Sequence, residues 1–409
     1  MLTKPPSNPE SIDPETLENL RDAGETFENQ QQYELAMEQY HQYLLMDPSN
    51  PWVYAHLGEC LRLSGDVQAA LEAYSQAIRL DAFYSWALTS RGELYLQLGE
   101  DAVALLDLQR AVQITPDDIH LLNQTGQCLC DLLRFEEALP YFNQSVGLDP
   151  TSAWGLAHRA LALVETDRLA DALLDINKSI ELDPRYSWAY YVRGRYFIAQ
   201  GNFTEAITAF DQALEILPDF PGVLQERGLL CMDLGDYEQA LLDFEHLIHL
   251  NKTNGWAHAC YATALAKMDS KSAALQSYRK AIRLGVRDTQ VFTETGLLVL
   301  ETGQAEKAVD LFSKALRLDP ENLNARANRA VAYRQLDDNP KALLDLDYAI
   351  QHAPVADAWL YAMRAKVHQE LGMTAQSLQD YDTAIQLKPD YEWALKGQAI
   401  LLSQLKDNL

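Results

Sequence analysis

Apolar and polar positions along this chain recur with a 34-residue period. Counted from Leu17, the periods begin at Leu17, Pro51, Ser85, Ile119, Ala153, Ser187, Pro221, Gly255, Thr289, Leu323 and Ala358, one extra residue preceding the last. Within each period, positions 4, 7–8 and 11 form one apolar face at helical spacing, and positions 20, 24 and 27 form another. Each period therefore predicts two helices. Position 8 is always Gly or Ala, as in Gly24, Gly58, Gly126 and Ala160. Position 20 is Ala in ten periods and Ser377 in the last. Small residues there let two backbones approach, and a large residue at position 24, such as Tyr40, Phe142 or Phe312, fills the adjoining space. Gly or Asp at position 15 turns the chain between the helices. Proline at position 32, as in Pro48, Pro116 and Pro150, ends the second helix.

All seven tryptophans fall at position 2 of this grid: Trp52, Trp86, Trp154, Trp188, Trp256, Trp359 and Trp393. A fixed period of this length is the signature of a repeat array, in which each unit rests mainly on its neighbours. The pattern closely resembles the tetratricopeptide repeat family over roughly residues 17–391. One departure is that the family's usual tryptophan stands at position 4, whereas here position 4 holds residues such as Tyr54, Leu88 and Tyr190. The resemblance implies an all-α, right-handed superhelical solenoid of helix-turn-helix repeats. The expected organisation is a disordered lead over residues 1–13, eleven repeats over 14–391 and a capping helix over 392–409. The least regular repeat is 255–288, with a hinge expected near 251–256. Pro140, inside the second helix of repeat four, predicts a kink.

Position 7 is Arg in six repeats and position 23 is Asp in five of the same six: Arg91/Asp107, Arg159/Asp175, Arg227/Asp243, Arg329/Asp345 and Arg364/Asp380. The expectation is an ion pair joining the two helices of each such repeat. Arg193, facing Ala209, is left without an aspartate.

Composition narrows the function. The formal net charge of −26 argues against a nucleic-acid ligand, which needs a basic footprint. That also sets aside RNA-reading pentatricopeptide arrays. No apolar run is long enough to span a membrane. The five cysteines fall within first helices as small core residues, which fits a reducing, cytoplasmic setting. No histidine or cysteine spacing marks a metal site, no glycine-rich loop cradles phosphate, and no nucleophile motif is present. The reading is a non-enzyme without cofactor.

By resemblance to the family, positions 2, 5, 9, 12 and 13 of the first helices face a concave groove that takes a protein or peptide. The tryptophans, Trp52 and Trp86 among them, then either face the ligand or seal joints between repeats. Glu25, Glu59 and Glu93 at position 9 make the N-terminal end acidic and suited to a basic segment. In the middle, Trp154, Tyr186, Trp188, Tyr191, Arg193, Arg195 and Phe220 gather the residue types that dominate binding hot spots. The family's clamp for chaperone C-terminal carboxylates needs Lys at position 5 and Asn at position 9. Here position 5 reads Arg21, Ala55, Thr89 and Asn123, and position 9 has no Asn, so that clamp is absent. The expected role is a protein-interaction adaptor or assembly factor. The alternative is a regulatory subunit that binds and gates a catalytic partner.

Overall fold

The computed structural model describes residues 13–407, which contain 23 helices and no strand. The lead expected over 1–13 lies outside the described residues, except Asp13. That residue caps Pro14–Asn29, its carboxylate accepting from the Glu15 amide at 3.2 Å. Helices alternate as the 34-residue grid requires. Repeat five, for example, consists of Ala153–Glu165 and Leu169–Leu182. The chain divides into two compact bodies between Pro218 and Asp219. The first holds repeats one to six. The second holds repeats seven to eleven and the last helix, Glu392–Asp407.

The turn between paired helices uses one backbone device throughout. Position 15 is left-handed in every repeat: Gly65, Gly99, Gly201, Gly235, Gly303 and Gly372 at φ 75–90°, and Gln31, Leu133, Asp167, Asp269 and Asp337 at φ 57–59°. Glycine takes this conformation without strain, whereas a residue with a Cβ does not.

The small residues do what their size predicts. The alanines at position 20, from Ala36 to Ala342, are 0% exposed, and each lies at the contact between paired helices. In the last repeat the Ser377 hydroxyl donates to the Ala365 carbonyl at 2.8 Å, so the one polar substitute is satisfied. A Cβ on Gly126 would come within 2.6 Å of the Phe142 ring, and one on Gly296 within 2.7 Å of Phe312. Position 8 is thus the floor on which the ring at position 24 lies.

All five expected Arg–Asp pairs form, each bidentate. Arg91 meets Asp107 at 2.7 and 2.8 Å, and Arg159 meets Asp175 at 2.6 and 2.7 Å. Arg227–Asp243, Arg329–Asp345 and Arg364–Asp380 repeat the geometry. The third guanidinium nitrogen also ties the repeat to its predecessor: Arg91 donates to Ser75, Arg329 to Ser313 and Arg364 to Asp347. One arginine therefore fastens two helices of its own repeat and one of the repeat before.

Phe135–Leu148 continues as one helix through Pro140, whose missing N–H falls on an exposed turn. Cys60, Cys128, Cys130 and Cys231 are buried and Cys260 half-buried, all as thiols outside any disulfide. Burial pushes Cys128 up to about 11, and Cys60, Cys130 and Cys260 up to about 12. Within 251–256 the Asn254 side chain caps Gly255–Lys267. Repeat eight is irregular at its other end. Lys271–Arg283 is followed by Gly285 at φ 96° and Val286, where most repeats carry the terminal proline.

Candidate functional site

Within each body the first helices of several successive repeats touch one another, most closely Ala153–Glu165 and Ser187–Ala199, and so share one face. A hollow of about 420 Å³ in the first body is lined by Leu96, His120, Asn123, Gln124, Gln127, Cys128, Asp131 and Trp154. Gln124 and Cys128 stand at positions 6 and 10, and the others at positions 12, 2, 5, 9, 13 and 2 of three consecutive repeats.

The tryptophans pack at the joints. Each of several meets edge-on the ring at position 24 of the preceding repeat: Trp52 on Tyr40 at 6.1 Å, Trp154 on Phe142 at 6.3 Å and Trp256 on Phe244 at 5.9 Å. They are not fully covered, since Trp86 and Trp256 keep 37% of their surface and Trp393 keeps 39%. The indoles therefore seal joints with one part of the ring and meet solvent with another.

The organising residue of this face is a histidine that the sequence pattern did not single out. At position 6 of repeat five, the His158 ring lies between two indoles, 3.6 Å from the centroid of Trp154 and 5.0 Å from that of Trp188. Its Nδ1–H donates to the Trp154 carbonyl at 2.9 Å, which fixes the ring plane. Desolvation pushes the imidazole down to about 4, so it is neutral at physiological pH. Repeat two builds a tilted counterpart, with the His56 ring 3.7 Å from Trp52 at 33° and 4.7 Å from Trp86 at 32°. There Nδ1 faces Glu28 at 3.0 Å, and Glu28 also accepts the Tyr40 hydroxyl at 2.7 Å. The legible signal was a histidine one turn after tryptophan, with another tryptophan one period on.

The expected central cluster is only partly assembled. Trp188 lies 5.0 Å from Tyr191, which is 9% exposed. Arg195 donates to the Tyr191 hydroxyl at 3.1 Å and pairs with Glu165 at 2.7 Å. Tyr186 is half-buried before Ser187–Ala199, and desolvation raises its phenol. Arg193 stands apart at position 7, with its guanidinium 5.7 Å from the Phe197 ring. Among the described residues it has no carboxylate at ion-pair distance. Phe220 belongs to the second body, directly before Pro221–Leu234.

The acidic end is less bare than its sequence suggests. Glu25 is exposed. Glu59 accepts from Arg62 and from the Tyr74 hydroxyl at 2.7 Å; although burial alone would raise its carboxyl, these bonds hold it below its ordinary value. Glu93 accepts from Gln124 at 2.7 Å. Among the described residues no three His, Cys, Asp or Glu side chains are grouped to hold a metal ion, and no helix is long and apolar enough to cross a membrane.

Models described as tetratricopeptide repeat match residues 21–85, 187–220, 221–254, 262–322, 293–358 and 360–391, together well over half of the chain. A 121-residue stretch is 27% identical to Tetratricopeptide repeat protein 6 of Homo sapiens; it spans 30% of this chain and 23% of that protein. Among solved structures, YrrB, described as a TPR protein with an unusual peptide-binding site, is similar at TM-score 0.41 and 22% identity. That similarity covers 46% of this chain and 97% of YrrB. The Cut9–Hcn1 hetero-tetramer of APC/C is similar at TM-score 0.42 and 14% identity, over 94% of this chain and 96% of the other.

Proposed function

Because the chain belongs to the tetratricopeptide repeat family, whose members generally mediate protein–protein interactions, we propose that it is a non-catalytic adaptor or assembly factor that holds a protein partner against its first helices. The observation that carries this reading is the hollow shared by positions 2, 5, 9, 12 and 13 of consecutive repeats, flanked by the Trp154–His158–Trp188 stack. Rigid aromatic walls beside polar side chains favour extended-surface recognition. The partner carries a basic segment, which the net charge of −26 attracts and which exposed Glu25 and Asp131 can meet. The five reduced thiols fit a cytoplasmic setting.

The test is affinity capture from the native cell extract, comparing wild type with Trp154→Ala/Trp188→Ala and with an outer-face control, Leu106→Ala/Leu174→Ala. Circular dichroism first establishes that all three fold. A partner kept by wild type and control but lost by the tryptophan variant supports the reading. A partner lost only by the control moves the interface to the second helices and defeats it.

A further inference from the structure

The tryptophans follow a second, longer rhythm. They occupy position 2 of repeats two and three, five and six, and eight, and then of repeat eleven and the last helix. The rule is two tryptophans in succession, then a repeat without one. The second of each pair is preceded by tyrosine two residues earlier: Tyr84/Trp86, Tyr186/Trp188 and Tyr391/Trp393. Repeat nine alone breaks the rule. There the tyrosine position is Asp288 and the tryptophan position is Gln290.

The structure shows what the break leaves behind. Beside Trp256 lies a cavity of about 250 Å³, walled by Trp256, Cys260, Tyr278, Asp288, Gln290 and Val291. It exceeds the engineered cavity of roughly 150 Å³ that accepts a benzene ring. The residue at position 6, which stacks between indoles as His56 and His158, is here the smaller Cys260, whose thiol burial keeps protonated. The local backbone has taken a different solution as well. Tyr84 and Tyr186 make no side-chain cap for the helices they precede, whereas Asp288 caps Thr289–Glu301 through the Val291 amide at 2.8 Å. A helix cap has replaced an aromatic pair, and the slot that pair fills elsewhere is open.

The rim of this slot is acidic. Asp288 is exposed at its edge. Glu294, one turn beyond Gln290, is half-buried, and among the described residues has no hydrogen bond or ion pair; desolvation raises its carboxyl. We propose that the slot beside Trp256 receives a Trp or Tyr side chain from the bound partner, with a neighbouring Lys or Arg of the same peptide meeting Asp288 and Glu294. This rests on the proposed peptide-holding role and names one element of what the peptide carries. The intruding ring takes the place of the chain's own second tryptophan in the other pairs, lying over Cys260 beside Trp256.

The test uses the intact chain labelled with 5-fluorotryptophan, with the Trp256 resonance assigned by Trp256→Phe. Acetyl-Lys-Trp-amide is titrated against acetyl-Lys-Leu-amide, and both against Gln290→Trp, which returns the missing indole. The expected result is a saturable shift at Trp256 with the tryptophan peptide, about tenfold weaker binding of the leucine peptide, and loss of the response in Gln290→Trp together with a raised thermal midpoint. Should Gln290→Trp fail to fold, Cys260→Met, which copies Met363 at the same position of repeat eleven, narrows the slot instead and weakens the response. Equal response to both peptides, or a Trp256 shift that survives Gln290→Trp, overturns the slot. Shifts confined to Trp154 or Trp188 also overturn it but leave the adaptor reading standing. No shift at any tryptophan overturns the slot, and loss of capture in the extract experiment is what separately defeats the adaptor.

Discussion

His158 shows how much a single side chain can decide. It is 7% exposed between two indoles, and its ionisation falls from an ordinary 6.5 to about 4 because burial disfavours the charged ring. Below an ordinary histidine pKa the unfolded chain binds a proton that the folded chain refuses. Stability from this group is therefore complete above about pH 6.5 and is lost as pH falls towards 4, by on the order of 2–3 kcal/mol. Thermal unfolding of wild type and His158→Gln across pH 7 to 4 measures it: the variant has the shallower decline. Parallel curves would mean that the imidazole is protonated in the native stack. Leu133 is a second informative residue. It is exposed, it sits at φ 59°, and six other repeats place glycine at the same position. Leu133→Gly should raise stability by up to about 1 kcal/mol, the left-handed strain relieved exceeding the entropy that glycine adds to the unfolded chain. Urea denaturation reads the difference, and a loss of stability would show that the turn is unstrained. Neither property was legible in the sequence. A histidine at position 6 reads as one polar residue among many until the two indoles on either side are placed, and the turn position was expected as Gly or Asp although Leu133 and Gln31 fill it too.

At the scale of elements the sequence was far more legible, because the features that define them repeat. The 34-residue spacing, the small residues at positions 8 and 20 and the large apolar or aromatic residue at position 24 describe one helix pair, and every repeat restates it. The Arg–Asp pairs were legible for the same reason: two positions varied together from repeat to repeat. What sequence did not show was the third bond that Arg91, Arg329 and Arg364 make to Ser75, Ser313 and Asp347 of the preceding repeat. It depends on how repeats stack, and no position within one repeat reports that. Asp107 is 4% exposed, and removing it strands Arg91 at a partly buried site. Asp107→Ala should cost about 3 kcal/mol, and Arg91→Leu/Asp107→Leu clearly less, because the double change leaves no charge without its partner. A double-mutant cycle by chemical denaturation checks this, and equal losses would assign the pair no more than packing value.

At the scale of the molecule, the candidate site was legible as a face and not as a constellation. Positions 2, 5, 9, 12 and 13 meet at one hollow of repeats three to five, together with Gln124 and Cys128 at positions 6 and 10. The particular residues did not behave as a free patch: Arg195 is matched by Glu165, Tyr191 is buried, and Glu59 is held by Arg62 and Tyr74. Charge complementarity inside the protein consumed groups that the sequence presented as available to a partner. The proposed adaptor role therefore rests on the face as a whole and is best tested by position. A photo-crosslinking phenylalanine derivative would replace Gln127 or Leu161, both at position 9 of first helices, and in parallel Leu106 or Leu174, which are 63% and 68% exposed on second helices. Illumination in the native cell extract should give protein adducts from positions 127 and 161 and none from 106 and 174. Adducts from 106 and 174 alone would place the partner on the opposite face and contradict the account.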